Sequence, residues 1–165
     1  MRRRGPSGRN LGYNSFGSAS AYAIFADGHQ KKYLYHLDLS KRIVKDKQTL
    51  EGRLADAVLY ANNETQANVV YGVVDNEVWM YSVESGEEQR LNLNELDGEI
   101  TYVSNRYWTN DAIDSQNNFN YLAVGTHKDG KYRIYLYNTI GGKPTGGSVR
   151  ILKGEGKITE INVAE

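Results

Sequence analysis

Apolar and polar residues alternate along most of this chain with the period of two that extended strands require. Three stretches carry the pattern most clearly: "AYAIFADGHQKKYLYHLDL" at 21–39, "NVVYGVVDNEVWMYSVES" at 68–85 and "NYLAVGTHKDGKYRIYLYNT" at 120–139. Each reads as a hairpin: a strand of small and β-branched residues, a turn, then an aromatic-rich strand. The turns are Asp27-Gly28-His29, Asp75-Asn76 and Lys128-Asp129-Gly130. All three use the Gly, Asp and Asn chemistry that tolerates a positive φ. Tyr35, Tyr81 and Tyr137 correspond in the aromatic strands. Each has an aromatic partner two residues earlier and therefore on the same face: Tyr33, Trp79 and Tyr135. Leu34, Met80, Ile134 and Leu136 fall on the opposite face, so these strands are predicted to be covered on both sides.

A second unit recurs between the hairpins, at 49–63, 93–107 and 152–165, with Leu54, Ile100 and Ile158 in matching places. The matched isoleucine and leucine positions lie 46 and 58 residues apart, and the matched tyrosines 46 and 56. An insertion, "WTNDAIDSQNNFN" at 108–120, accounts for the longer second interval and reads as a polar loop. A period of this length with about four strands per unit is the mark of a β-propeller blade. The predicted fold is all-β and β-propeller-like, with three four-stranded blade repeats at about 11–50, 51–95 and 96–152. An open three-sheet prism and an irregular β-sandwich are the alternatives.

Residues 153–165 read as a closing strand that arrives after the third blade is finished. Three blades are too few to close a ring, since propellers have about four to eight. The terminal strand, centred on 157–163, is therefore expected to complement another blade. That blade belongs either to the rest of a longer protein or to a second copy, the latter giving a homodimer through the C-terminal strand. Residues 1–10, with Arg2, Arg3, Arg4 and Arg9 among Gly, Pro and Ser, read as a disordered or non-native leader. Residues 11–165 form the single domain.

Composition narrows the function classes. Lys+Arg and Asp+Glu are both 20, so no net field draws the chain to nucleic acid. Cysteine is absent, which excludes disulfides and thiolate metal sites. No apolar run is long enough to span a bilayer. Thirteen Tyr, 17 Gly and only 2 Pro suit short strands joined by tight turns.

Candidate chemistry is sparse, and no cofactor or metal is expected. His29, His36 and His127 fall in separate repeats or on separate strands, with no convergent partners to make a ligand set. "GGKPTGG" (141–147) and "GEGK" (154–157) lack the strand–loop–helix context of a phosphate loop and read as turns. Asp111 and Asp114, with Asn117 and Asn118 following, lack the residue order of a calcium loop. The stronger signal is aromatic. Tyr102, Tyr107 and Trp108 lead into the insertion that holds Asp111 and Asp114. Aromatics beside amides and carboxylates can stack on a sugar or peptide and hydrogen-bond its polar groups. Packing of Tyr102 and Trp108 between blades is the simpler alternative.

The segments "GGKPTGGSVRILKGEGKITEINV", "NVVYGVVDNEVWMYSVESGE" and "YLAVGTHKDGKYRIYLYN" resemble the C-terminal propeller-like region of PKD-like lipoproteins of Bacteroidetes-type bacteria. The resemblance covers about residues 11–165 and is one of blade pattern. It implies a cell-envelope protein whose lipid anchor and immunoglobulin-like modules are not in this sequence, and it transfers no site residues. The function expected is a non-catalytic binding or scaffold module that presents loops to a glycan or protein partner. The alternative is a fragment of a propeller-fold glycoside hydrolase or lyase, with Asp111, Asp114 and Glu155 as its candidate acids.

Overall fold

The alternating segments fold as antiparallel strands joined by tight turns in the computed structural model, which describes residues 20–29, 31–60, 69–83, 85–108 and 119–161. Strands β1 (Ser20–Ala26), β2 (Lys32–Asp38) and β3 (Ile43–Leu50) form the first sheet in sequence order. The second is β4 (Val58–Tyr60), β5 (Val69–Val74), β6 (Glu77–Ser82) and β7 (Glu88–Arg90), again in order. In the third, β8 (Glu99–Trp108), β9 (Phe119–Lys128) and β10 (Lys131–Ile140) are followed by β11 (Lys143–Pro144) and β12 (Arg150–Glu155). Both β11 and β12 pair with β10. No α-helix occurs among the described residues, and one 3-10 turn spans Gly52–Ala55.

The turns follow their residue chemistry. Asp75 and Asn76 both take a positive φ (53° and 58°), as do Asp129 and Gly130 (51° and 75°). Two consecutive left-handed residues match the right-handed twist of the flanking strands. In the first hairpin the Asp27 carboxylate accepts the amides of His29 (2.8 Å) and Lys31 (3.0 Å), closing the loop with a side chain.

Cross-strand partners share a face, so the register assigns every side chain. In the first sheet Ile24 pairs with Leu34 on one face, and Phe25 with Tyr33 and Ala23 with Tyr35 on the other. The second sheet pairs Tyr71 with Met80 and Val73 with Val78 on one face, and Val70 with Tyr81 and Gly72 with Trp79 on the other. In the third, Ile134 pairs with Gly125 and Leu136 with Ala123, opposite the face of Tyr135–Val124 and Tyr137–Leu122. The three aromatic pairs thus occupy one equivalent face of each sheet.

Two cores show how these faces meet. Leu34 and Leu50 of the first sheet pack with Val70, Tyr81 and Val83 of the second. Val69, Tyr71, Val78 and Met80 of the second sheet pack with Val103, Leu122, Val124, Tyr135 and Tyr137 of the third. The second sheet therefore lies between the other two, and each contact sets the aromatic face of one sheet on the preceding sheet's opposite face. The expectation that all aromatic strands are covered on both sides is met only by the second sheet.

The connections between sheets fill these contacts. Leu54 and Ala57, after β3, lie against Gly72, where a Cβ would come within 2.4 Å of Leu54 Cδ2 and 2.8 Å of Ala57 Cβ. Leu91, with Leu93 and Leu96 after β7, packs into the second core. Ile158 and Ile161, after β12, lie over Gly125, 3.1 and 3.2 Å from its would-be Cβ.

Polar ties reinforce both contacts. Tyr81 donates to Gln48 Oε1 (2.6 Å), and Gln48 donates to the Val83 carbonyl (3.2 Å). Asn76 accepts from the Ile100 amide (2.7 Å) and donates to the Gly98 carbonyl (3.0 Å), fixing the start of β8. The fully buried Tyr71 donates to the Gly142 carbonyl (2.7 Å), which pins the β10–β11 turn to the second sheet.

The structure departs from the sequence reading in four places. The strand in the tail is Arg150–Glu155, and it pairs within its own sheet; 157–161 form no strand, and 162–165 lie outside the described residues. Ile100 is not the counterpart of Leu54 and Ile158, because it lies within β8 whereas they lie in connections. The insertion read at 108–120 is shorter, since Trp108 and Phe119 pair as the last rungs of a β8–β9 ladder. The strand count per sheet is three, four and five among the described residues, and no sheet closes on itself.

Gly72→Ala should destabilise the chain by about 1–3 kcal/mol through overpacking against Leu54 and Ala57. Leu54→Ala, emptying a site of 0% exposure, should cost about 2–5 kcal/mol. Urea denaturation of both variants checks the pair, and two near-neutral substitutions would contradict this packing.

Candidate functional site

Edge strands β4 and β8 occupy matching places in their sheets, and the chain leaves each into a polar connection, 61–68 and 109–118. These segments read "ANNETQAN" and "TNDAIDSQNN", both rich in amides. Beside the root of the first, and near the start of β8, sits an aromatic pair. Tyr60, the last residue of β4, meets Tyr102 of β8 edge-to-face, with ring centroids 4.9 Å apart and an interplanar angle of 67°. Its hydroxyl donates to the Thr101 carbonyl (3.3 Å).

The β8–β9 register breaks beside this contact. Ile100 pairs with Thr126 and Tyr102 with Gly125, leaving Thr101 as a bulge. Bulges commonly re-aim the neighbouring side chain. Thr101 ties itself down by donating its hydroxyl to the Gly125 carbonyl (3.3 Å). Both rings stay partly exposed. Burial, then the neighbouring Tyr102, raises the Tyr60 pKa above the ordinary phenol value, so it stays a neutral hydroxyl.

Of the predicted residues, Tyr102 is thus placed beside a partner, Tyr60, that sequence reasoning missed. Tyr60 ends the short strand "VLY", and its facing of Tyr102 depends on the stacking of two sheets. Tyr107 and Trp108 continue β8 as backbone, and their side chains lie outside what is described. Asp111 and Asp114 lie outside the described residues altogether.

The histidines stay apart. His29 is exposed in the first hairpin turn, His127 pairs with Glu99 and Tyr132, and His36 sits in β2. Burial, then Lys45, holds His36 below the ordinary imidazole value. Among the described residues no group of three or more His, Asp or Glu is placed to hold a metal ion. No described helix is long and apolar enough to cross a membrane.

Two open grooves lie elsewhere. One, about 670 Å³, runs between the second sheet and the β10–β11 turn, lined by Val69, Met80, Glu87, Gln89, Ile140 and Lys143 among others. The other, about 600 Å³, is lined by His29, Lys31, Lys32, Thr49, Glu51 and Asp56 with their neighbours. Lys32 is already engaged there, donating to the Ala57 carbonyl. Neither groove includes Tyr102 or Tyr60. No family model, no curated protein and no solved structure matches the chain.

An ionic frame holds the base of β8. The Asp97 carboxylate meets Lys128 (2.7 Å) and Arg133 (3.3 Å), and its amide donates to the Tyr135 hydroxyl (3.2 Å). The Lys128 hydrogen bond is the main reason that Asp97 titrates below the ordinary carboxylate value. Glu95 accepts from both the amide (2.6 Å) and the hydroxyl (2.8 Å) of Ser148, tying the β7–β8 connection to the β11–β12 loop. Burial alone would raise its pKa, but the Ser148 bonds and Tyr137 outweigh that and hold it low. Burial, then the Glu95 carboxylate, pushes the Tyr137 phenol well above its ordinary value.

A carboxylate with a depressed folded pKa stabilises fully above its unfolded value, and the contribution fades as pH falls through the folded one. The loss should therefore lie on the acid side of the ordinary values, 4.5 for Glu95 and 3.8 for Asp97. Glu95→Gln with Asp97→Asn should flatten the decline of the urea midpoint in that window. An unchanged acid limb would remove these groups from the account.

Proposed function

We propose that this chain is a β-propeller-type binding or scaffold module of a bacterial cell-envelope protein, presenting the β4–β5 and β8–β9 connections to a glycan or protein partner. The observation that carries this reading is the Tyr60–Tyr102 pair beside the root of the amide-rich β4–β5 connection. Aromatic faces with amide and carboxylate neighbours suit a sugar ring or an extended peptide, which need both stacking and hydrogen bonds. The propeller part of the reading is supported by three successive sheets whose equivalent faces stack in one direction. The envelope setting rests on the resemblance to PKD-like lipoproteins.

In this reading Tyr102 and Trp108 stack on the ligand, Tyr107 borders the contact, and Asp111 and Asp114 accept its hydrogen bonds. A central aromatic anchor carries about 2 kcal/mol or more of binding in such contacts. Tyr102→Ala and Trp108→Ala should each weaken binding by about thirtyfold or more. Asp111→Asn with Asp114→Asn should weaken it less. Calorimetric titration of a polysaccharide and envelope-peptide panel checks this. Turnover of a polysaccharide that vanishes in the Asp111→Asn/Asp114→Asn variant would replace the binding module with an enzyme.

A further inference from the structure

Among the described residues the stack ends in two unmatched faces, and each is one half of a contact that the chain already makes twice. At one end lies the aromatic face of the first sheet, with Phe25, Tyr33 and Tyr35. Three of its four counterparts in the other sheets are sealed, Tyr81 at 8% exposure, Tyr135 at 2% and Tyr137 at 1%, while Trp79 is partly buried. Tyr33 and Tyr35 are both partly exposed. Phe25 packs edge-to-face on Tyr35 at 4.8 Å, and the Lys47 ammonium sits 4.2 Å from the centre of the Tyr33 ring.

At the other end lies the face of the third sheet that carries Ala123, Ile134 and Leu136, with Leu152 beside Ile134 on β12. Ile134 and Leu136 are partly exposed, and Leu152 is 40% exposed. Ile158 and Ile161 lie on this face over Gly125. They come from the segment that follows their sheet, as Leu54 and Ala57 follow the first sheet and Leu93 and Leu96 the second. Inside the chain, each such lined face is covered by the aromatic face of the next sheet. Among the described residues the third is lined and left without one.

We propose that a second copy of the chain supplies the missing half: the Tyr33/Tyr35 face of one copy docks on the Ile134/Leu136 face of the other, and two such contacts close a two-fold dimer. Both halves exist on one chain and at opposite ends of the stack, so two copies satisfy both at once. Such a head-to-tail contact builds an open chain of copies unless it closes. Six sheets fall within the four to eight of closed propellers, so closure rests on the propeller reading, whereas the contact does not. Lys47 does not block the contact. It rises from β3, the sheet edge, where the second sheet also carries charges, Glu88 and Arg90, and its long stem lets the ammonium reach the rim. This pairing uses sheet faces, not the C-terminal strand expected from the sequence.

Sedimentation of the full chain, without any ligand, should give twice the 18.6 kDa chain mass. Tyr35→Glu and Leu136→Glu should each give monomer, and mixing the two should restore dimer through the one contact left intact. Because the chain has no cysteine, a Tyr35→Cys/Leu136→Cys variant adds a test that does not depend on a disruptive charge. Mild oxidation should link it into covalent dimers, and Tyr35→Cys alone should not link. A wild-type monomer throughout the micromolar range, or a dimer that neither glutamate variant disturbs and the cysteine pair does not link, would overturn the proposal. Tyr102 pairs with Gly125 and so shares the Ile134/Leu136 face by register, and ligand binding is therefore titrated separately on the dimer and on the glutamate monomers.

Discussion

The fold depends on one recurring contact, the aromatic face of a sheet laid on the opposite face of the sheet before it. A small antiparallel sheet has two faces to cover and cannot cover either alone. Here Tyr81 with Val70 closes over Leu34 and Leu50, and Tyr135 with Tyr137 closes over Tyr71, Val78 and Met80. Large rings suit this role because each removes much apolar surface while keeping few rotatable bonds. Their hydroxyls then set the alignment of the sheets. Tyr81 finds Gln48 across the first contact, and Tyr71 finds the Gly142 carbonyl across the second.

The connections matter as much as the strands. Leu54 drops into the space above Gly72, which is open only because that residue has no side chain. The carboxylate of Glu88 holds the turn that delivers Leu54, accepting the Arg53 amide at 3.0 Å. A residue on the rim of the second sheet thereby positions a core residue between the sheets. The same logic reaches the candidate site. Asn76 anchors the start of β8, the Thr101 bulge follows, and Tyr102 meets Tyr60 beyond it.

Much of this was legible in the sequence. The period of two, the Asp-Asn and Asp-Gly turns and the matched Tyr33/Tyr35, Trp79/Tyr81 and Tyr135/Tyr137 pairs predict the hairpins and the shared face. The tail misleads because "KITEINV" alternates like a strand, whereas Ile158 and Ile161 serve as lining over Gly125. Alternation alone does not separate a strand from a connection that presents two apolar side chains to a neighbouring sheet. For the same reason Ile100, within β8, matches Leu54, in a turn, by pattern alone. The aromatic site was half visible: Tyr102 stood out beside Trp108, but Tyr60 becomes its neighbour only through sheet stacking.

The stacking contact itself can be measured in a double-mutant cycle. Leu34→Ala and Tyr81→Leu sit across the contact between the first two sheets, while Leu34 and Tyr35 are neighbours in sequence on opposite faces of one strand. Urea unfolding should give a coupling energy of about 1 kcal/mol or more for Leu34 with Tyr81, and about 0.5 kcal/mol or less for Leu34 with Tyr35. A coupling of Leu34 to Tyr81 no larger than its coupling to Tyr35 would contradict the stacking of these sheets.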